Sequence, residues 1–261
     1  MSPLAPKLFL ALLLTVAAVA NGTAADRTGH LVLVGGGPTP ADVFTRTLGL
    51  SGGRSAIVVV LPQTYPNDTI ADAAVTMWQS LGVRDVVKVS RIDEEAARAA
   101  VARATLIWIP GGFQGRFMKA IADTTMPDLI RARFAAGVTI GGSSAGAAAV
   151  SRVMVADETT PDGSGIDGPR TDEGLGLWPE AVVSPHFSER RRLNGLMAIV
   201  KEHPELTGVG IDEGTAVIVF SGAEIDVVGR GGVTIVDGRR SSVRTLRSGA
   251  HVRFLDFLGM F

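Results

Sequence analysis

The strongest constraint on the fold is a repeated alternation between short apolar runs and amphipathic helical patterns. The apolar runs are continuous, which is typical of strands buried on both faces of a parallel sheet. They span 30–34, 56–61, 85–89, 105–109 and 138–140, and the helical patterns between them span 41–49, 69–81, 94–103, 113–121 and 127–136. This alternation predicts an α/β fold with a doubly wound, mostly parallel sheet.

The C-terminal third of the chain has a different pattern. A helical pattern at 188–200 leads to an apolar run at 208–211, after which shorter apolar runs are separated by turn residues. These shorter runs span 216–220, 225–228, 233–236 and 251–254. Such spacing indicates antiparallel strands, and we expect them to extend one edge of the sheet. We find neither a repeat nor a linker, so residues 26–261 are predicted to form a single domain.

The first 25 residues have the features of a signal peptide. Lys7 precedes an apolar run at 8–20, and small residues suited to a cleavage site stand at 18–20 and 23–25. The run is shorter than the roughly 20 residues that span a bilayer. We therefore expect the mature protein to be secreted or periplasmic, without stable membrane association.

Composition excludes several classes of protein. The 261 residues include no cysteine, so disulfides, thiolate metal sites and a cysteine nucleophile are ruled out. A net charge of −1 and a single tyrosine argue against binding of nucleic acid. A hydrophobic fraction of 46% is enough for a core that does not need covalent cross-links.

A G-x-S-x-G turn at 142–146 lies between an apolar run and a helical pattern. This setting is typical of a nucleophile elbow, where small neighbours let a serine hydroxyl project. Ser144 is therefore the candidate nucleophile. The expected oxyanion donors are the backbone N–H groups of Ala145, which follows it, and of Gly112, in a second glycine turn. Glycine and serine are common residues, so the motif indicates a catalytic serine only if the chain also supplies a base and an acid.

A serine nucleophile needs a base, and the chain has four histidines. His186 is the best candidate by placement, because it lies between an apolar run and a helical pattern. Asp212 and Glu213 follow the next predicted strand. Adjacent residues of an extended chain point to opposite sides, so only one of these carboxylates is expected to face the site.

Taken together, these motifs resemble peptidase family S51, which includes cyanophycinase and aspartyl dipeptidase. The resemblance covers essentially the whole mature chain and is carried by six segments, at 35–37 (GGG), 110–114 (PGGFQ), 141–147 (GGSSAGA), 186–192 (HFSERRR), 211–216 (IDEGTA) and 232–237 (GVTIVD). It implies a flavodoxin-like fold of the class I glutamine amidotransferase type, and it implies a serine peptidase that requires neither a metal nor an organic cofactor.

The resemblance also implies roles for individual residues. Ser144, His186 and Glu213 fall on the family's Ser-His-Glu triad, and Asp162 is the alternative acid. Gln114 falls on a residue that helps to hold the substrate. Two arginines, Arg190 and Arg192, either bind a substrate carboxylate or belong to a solvated helix face. The implied substrate is a peptide with aspartyl or isoaspartyl linkages, as in cyanophycin; whether the enzyme forms a homodimer is left open.

The chain departs from the cyanophycinase pattern at two places. Ser184-Pro185 stands where cyanophycinases have Asp-Gln, and Gly195 stands where they have a third arginine. Loss of groups that hydrogen-bond a charged substrate weakens selectivity strongly. We therefore expect a cyanophycinase-like peptidase whose preferred substrate differs from that of the relatives.

Two alternatives from other classes remain at this point. An α/β-hydrolase esterase would use Ser144, Asp212 and His251, an order along the chain that such enzymes permit. A binding protein without catalytic activity could keep the same scaffold.

Overall fold

The computed structural model describes residues 28–90, 92, 95–156, 170–220, 224–240 and 242–257. The predicted signal peptide at 1–25 and the alternative acid Asp162 lie outside the described residues. Within the described ranges, no helix combines the length and the apolar character needed to cross a membrane.

The predicted alternation of strands and helices is present over the first half of the chain. The strands are β1 (Leu31–Val34), β2 (Ile57–Val60), β3 (Asp85–Lys88), β4 (Leu106–Ile109), β5 (Thr139–Ser143), β6 (Val153–Val155), β7 (Thr171–Glu173), β8 (Ala181–Pro185), β9 (Thr207–Ile211), β10 (Thr215–Phe220), β11 (Glu224–Gly229), β12 (Gly232–Asp237), β13 (Ser242–Arg247) and β14 (His251–Arg253). The helices are α1 (Ala41–Leu50), α2 (Thr69–Ser80), α3 (Glu95–Arg103), α4 (Gln114–Ile121), α5 (Met126–Ala135), α6 (Ala145–Ala148) and α7 (Leu193–Glu202).

The larger sheet has the strand order β14-β11-β10-β1-β5-β4-β2-β3. The strands β1, β5, β4, β2 and β3 are parallel to one another. Beyond β1, the strands β10, β11 and β14 continue the sheet, each antiparallel to its neighbour. Because parallel strands end at the same edge, the loops after β1, β2, β4 and β5 lie next to one another. The predicted fold class is confirmed.

Alternate residues of the central strands pack on opposite faces of this sheet, as buried parallel strands require. On one face Val32, Val58 and Trp108 pack in a cluster with residues of α1 and α2. On the other face Leu33 and Ile107 belong to a cluster that includes residues of α3, α4 and α5. Helices therefore cover both faces of the sheet.

The prediction that the C-terminal strands extend one edge is wrong for part of the tail. β12 and β13 join β9 and β8 in a second sheet of order β13-β12-β9-β8. The reason is a long hairpin that changes sheet: β9 pairs with β12 in the second sheet, and β10 pairs with β11 in the first. Across the break, side chains accept from two backbone groups, since Gly232 N–H donates to Asp212 Oδ2 at 2.9 Å and Gly231 N–H donates to Thr215 Oγ1 at 2.8 Å, beside a backbone bond from Asp212 N–H to the Gly232 carbonyl at 3.2 Å.

Other elements also differ from the prediction, among them the short strands β6, β7 and β8, which were not predicted. The helix predicted at 188–200 begins only at Leu193, because the chain turns after β8 and places His186 and Arg191 at φ of 49° and 54°. A right-handed helix cannot include such residues. β13 was not predicted, because five of its six residues are exposed and it has no apolar run.

Candidate active site

The elbow at Ser144 lies between β5 and α6 and has an unusual backbone. Its φ of 53° and ψ of −111° are rarely adopted by residues with a side chain. The motif glycines allow this turn to pack tightly. A Cβ on Gly142 would lie 2.4 Å from the carbonyl carbon of Gly146, and a Cβ on Gly146 would lie 2.0 Å from the carbonyl oxygen of Ile109. The G-x-S-x-G spacing is therefore required by the packing of α6 against β4 and β5.

A continuous hydrogen-bonded series of side chains begins at this serine. Ser144 Oγ lies 2.7 Å from His186 Nε2, and His186 Nδ1 lies 2.6 Å from Glu213 Oε1. His186 and Glu213 follow β8 and β9, which are adjacent parallel strands of the second sheet. The structure thus brings together three side chains from loops of both sheets.

The glycine turn at 35–37 makes room for this series. A Cβ on Gly36 would lie 2.3 Å from His186 Cε1, and a Cβ on Gly37 would lie 2.6 Å from Glu213 Oε2. The turn also holds the histidine, because the His186 N–H donates to the Gly35 carbonyl at 2.8 Å. Gly36 and Gly37 are explained by the imidazole and the carboxylate that occupy the space of their missing side chains, and Gly35 by the backbone carbonyls of Ile211 and Asp212.

The two adjacent carboxylates after β9 point in different directions, as expected for an extended chain. Asp212 accepts hydrogen bonds from Ser188 and from the N–H of Gly232, so it fixes the loops around the site. Glu213 faces His186. Its own backbone N–H donates to the carboxylate of Glu189 at 3.2 Å. The strand pattern alone left the choice between Asp212 and Glu213 open, whereas the family resemblance implied Glu213.

The predicted oxyanion donors lie on the two loops that meet at Ser144. A Cβ on Gly111 would lie 3.5 Å from Ser144 Cβ, so the loop after β4 abuts the elbow. In the part of the chain that the structure describes, the N–H groups of Gly112 and Ala145 donate to no backbone carbonyl. Neither N–H group is therefore occupied by a backbone acceptor, and that of Ala145 adjoins the serine directly along the chain.

Thr64, in the loop after β2, holds the Gly111–Gly112 turn and was missed by the sequence analysis. Its hydroxyl donates to the Gly111 carbonyl at 2.8 Å, and its own carbonyl accepts from the Phe113 N–H at 2.8 Å. Thr64 is fully buried, and its carbonyl occupies the space that a Cβ on Gly112 would need. The available signal was its position after a strand that ends at the same edge as β4.

The residues expected to bind substrate have different surroundings. Gln114 begins α4 and is buried, with its amide nitrogen donating to the Val155 carbonyl at 2.9 Å. Arg192 is half-buried and donates to the Pro185 carbonyl at 2.6 Å, just before His186. Arg190 is exposed, and its backbone N–H donates to the His186 carbonyl at 3.0 Å.

The esterase alternative is not supported by the geometry. His251 lies in β14, four strands away from β5, which corresponds to roughly 19 Å at 4.8 Å per strand. Its Nδ1 is 2.6 Å from Asp226 Oδ1, and Asp212 is engaged elsewhere. The structure does not bring His251 or Asp212 to Ser144 in the arrangement that this alternative needs.

The arrangement has the chemistry of nucleophilic catalysis. A hydroxyl next to an imidazole can lose its proton to that ring, and a carboxylate on the far nitrogen keeps the ring in the required tautomer. Two free N–H groups beside the hydroxyl can bind a negatively charged oxygen. These parts are those of an acyl-transfer site.

Comparison with known proteins agrees with this chemistry. The sequence profile described as peptidase family S51 matches residues 31–228. A cyanophycinase of Geminocystis herdmanii is 34% identical over 211 residues, covering 77% of this chain and 76% of the relative. A cyanophycinase of Trichormus variabilis is 31% identical over 206 residues, covering 75% and 68%.

A solved structure supports the fold. The crystal structure of a peptidase from an acI-B1 Actinobacterium superposes with a TM-score of 0.68 at 22% identity, covering 88% of this chain and 98% of that one. At this identity the likeness concerns the fold alone. The profile match and the relatives above 30% identity establish the family: the chain belongs to peptidase family S51 and is a serine peptidase.

Proposed function

We propose that the protein hydrolyses peptide bonds through an acyl-enzyme. In this proposal Ser144 is the nucleophile, His186 the general base and acid, and Glu213 the carboxylate that orients the imidazole. The observation that carries the proposal is the continuous pair of hydrogen bonds, 2.7 Å from Ser144 Oγ to His186 and 2.6 Å from His186 to Glu213.

In the first half of the reaction, Ser144 Oγ forms a bond to the peptide carbonyl carbon while its proton passes to His186 Nε2. The carbonyl oxygen becomes negative and is bound by the N–H groups of Gly112 and Ala145. The carbon–nitrogen bond then breaks, and the leaving amine takes the proton from His186. Glu213 remains ionised and stabilises the imidazolium.

In the second half, a water molecule attacks the ester carbon of the acyl-enzyme and gives its proton to His186. The bond between Ser144 Oγ and the acyl carbon breaks, and His186 returns the proton to that oxygen. The products are a free carboxylate and the released amine, and the enzyme returns to its starting state.

For the substrate we propose a peptide with an aspartyl or isoaspartyl linkage. Support comes from the cyanophycinase relatives at 30% identity or more, and from Arg190, an exposed cation four residues after His186. Ser184 and Pro185 are buried at the end of β8 and carry no charge. This chain therefore lacks the Asp-Gln pair that cyanophycinases have at this position, so we propose that its preferred peptide differs from theirs.

We also infer that the protein is exported, with residues 1–25 serving as a signal peptide. N-terminal sequencing of protein recovered from the periplasm or the medium checks this inference. A mature N-terminus after the apolar run supports it, and an intact Met1 would contradict it.

The proposed chemistry is tested by a hydrolysis panel of β-linked aspartyl peptides, α-linked aspartyl dipeptides and simple esters. The wild-type protein is expected to cleave at least one aspartyl peptide class. Ser144→Ala is expected to lose about 10⁴-fold or more in kcat, since a serine nucleophile has no substitute in such a site. The matched control is Ser143→Ala, which removes the neighbouring hydroxyl of the same motif and is expected to retain most activity.

Two outcomes would contradict the proposal. Equal loss in Ser143→Ala and Ser144→Ala would remove the evidence for Ser144 as nucleophile, and cleavage of esters alone would contradict the peptide substrate. Labelling by a fluorophosphonate that disappears in Ser144→Ala provides a readout that does not depend on the choice of substrate. Absence of both labelling and turnover would instead favour the binding-protein alternative.

A further inference from the structure

Two aromatic side chains lie exposed and parallel beside the proposed catalytic groups. The rings of Tyr65 and Phe113 have centroids 6.1 Å apart and planes inclined by 16°. They are 37% and 41% exposed, which places both among the large apolar side chains that the described part of the protein leaves in solvent. Nothing in the mechanism above uses this pair.

The pair is rigidly connected to the loop that carries the proposed oxyanion donor. Tyr65 follows Thr64, whose carbonyl accepts from the Phe113 N–H and whose hydroxyl donates to the Gly111 carbonyl, both at 2.8 Å. One residue therefore fixes the backbone of both aromatic side chains and of the Gly112 turn at once.

The same connection places the pair close to Ser144. Gly111 abuts the elbow, since a Cβ on it would lie 3.5 Å from Ser144 Cβ. Phe113 comes two residues later, so its Cα lies at most about 7.6 Å from that of Gly111. A substrate whose carbonyl carbon is at Ser144 Oγ has its neighbouring side chains within reach of these rings.

The chemistry of the two loops indicates what kind of side chain would fit. Residues 61–66 and 109–115 contain no charged side chain. The next charged residues along the chain are Asp68 and Arg116, outside the two loops. An aromatic pair on loops that carry no charge of their own favours an apolar group, which gains by leaving water and makes no demand for an ion pair. A cationic side chain would find only the attraction of the ring faces, and an anionic side chain would not be attracted to them.

We propose that Tyr65 and Phe113 form the wall of a subsite for an uncharged, apolar side chain on the acyl side of the scissile bond, in the residue next to the aspartyl residue that supplies the scissile carbonyl. This inference rests on the proposed function, because it takes Ser144 as the reacting group. The enzyme would then select substrates in which the aspartyl residue is preceded by a residue with an apolar side chain.

The test compares two fluorophosphonates that label the serine, one with a short alkyl group on phosphorus and one with a phenylalkyl group. The measured quantity is the ratio of their second-order labelling rates. The wild type is expected to react faster with the phenylalkyl probe by about tenfold, within the range that apolar pockets supply. Phe113→Ala and Tyr65→Ala are each expected to reduce this ratio several-fold.

The ratio cancels any general change in the reactivity of Ser144, so a moderate loss of folding or activity in a variant does not affect the conclusion. Val243→Ala is the matched control, because Val243 is an exposed apolar side chain on β13, outside the loops of the site. It is expected to keep the wild-type ratio.

Each outcome decides the inference. A ratio that falls in Phe113→Ala and Tyr65→Ala but not in Val243→Ala supports the subsite. A wild-type ratio near one, or a ratio unchanged in the aromatic variants, overturns the subsite while leaving the proposed function intact. Absence of any labelling that depends on Ser144 overturns the proposed function as well, so the two failures are distinguishable.

Discussion

Two imidazole and carboxylate pairs in this protein have nearly the same internal geometry and very different surroundings. The Nδ1 of His186 is 2.6 Å from Glu213, and the Nδ1 of His251 is 2.6 Å from Asp226. The His186 side chain is 11% exposed and its Nε2 lies 2.7 Å from the Ser144 hydroxyl. The His251 side chain is 61% exposed, with its Nε2 3.9 Å from a second carboxylate, that of Glu224. The group at the far nitrogen distinguishes the two pairs.

The two histidines also differ in how they are held. His251 lies directly opposite Asp226 in the β11–β14 register, so ordinary strand pairing is enough to bring the two side chains together. His186 occupies a left-handed turn, is anchored through its N–H to Gly35, and packs on the bare backbone of Gly36. Strain and close packing of this kind are typical of functional sites and have no equivalent at the sheet edge.

The largest effect is expected from removing the two imidazoles in turn. His186→Ala should lower kcat for an aspartyl peptide by about 10⁴-fold or more, because the serine loses its base. His251→Ala should change kcat by less than about twofold, since the ring lies four strands from Ser144. Steady-state kinetics of both purified variants provide the measurement. Equal losses would mean that the comparison between the two pairs has no functional meaning, and the reverse result would revive the esterase order.

A smaller effect is expected from adding a methyl group beside each histidine. Gly36 and Gly249 both have positive φ, 99° and 88°, so alanine at either position carries a similar backbone strain of about 1 kcal/mol. Only at Gly36 would the new Cβ meet the ring of His186; at Gly249 it would meet nothing within 4 Å. Gly36→Ala is expected to lower kcat/KM by about 100-fold through displacement of the imidazole.

Gly249→Ala is the control, since it changes the turn that leads into His251 and should leave kcat/KM within about twofold. Thermal unfolding of both variants separates stability from activity. A loss of activity in Gly36→Ala no larger than that in Gly249→Ala would contradict the idea that the glycine turn exists to hold the imidazole.

The sequence was sufficient to predict the parts of this protein that depend on local pattern. β2 and β4 are continuous apolar runs, and their predicted and observed bounds differ by one residue at one or both ends. The elbow at Ser144 was recognisable because its two glycines stand at a fixed spacing within one strand, turn and helix, although the packing that requires Gly146 involves Ile109 of β4. Periodicity and small-residue spacing report such features directly.

Contacts between distant segments could not be predicted in the same way. The tail divides between two sheets at the break beside Asp212, and no run of residues signals which sheet a strand joins. The segment 35–37 contributed to the family resemblance, yet the reason for Gly36 and Gly37 is the presence of His186 and Glu213, which lie about 150 residues or more further along the chain. Thr64 acts through a hydroxyl and a carbonyl on a loop without a motif, so its position after β2 is the only signal of its role in the sequence.

The smallest effect concerns the protonation of the exposed pair. The hydrogen bond to Asp226 raises the pKa of His251 above its ordinary value of 6.5, and the nearby carboxylate of Glu224 acts in the same direction. Because the pKa is higher in the folded state, the pair stabilises the fold fully below about pH 6.5, and this contribution is lost as the pH rises through the folded pKa. His251→Gln should therefore lower the Tm relative to wild type at pH 5.5 and leave it nearly unchanged at pH 9.

An NMR titration of the His251 ring should give a midpoint above 6.5 that falls in Asp226→Asn. A midpoint at or below 6.5 in the wild type would show that the edge pair differs from the His186 pair even in its hydrogen bond, and not only in the group at the far nitrogen.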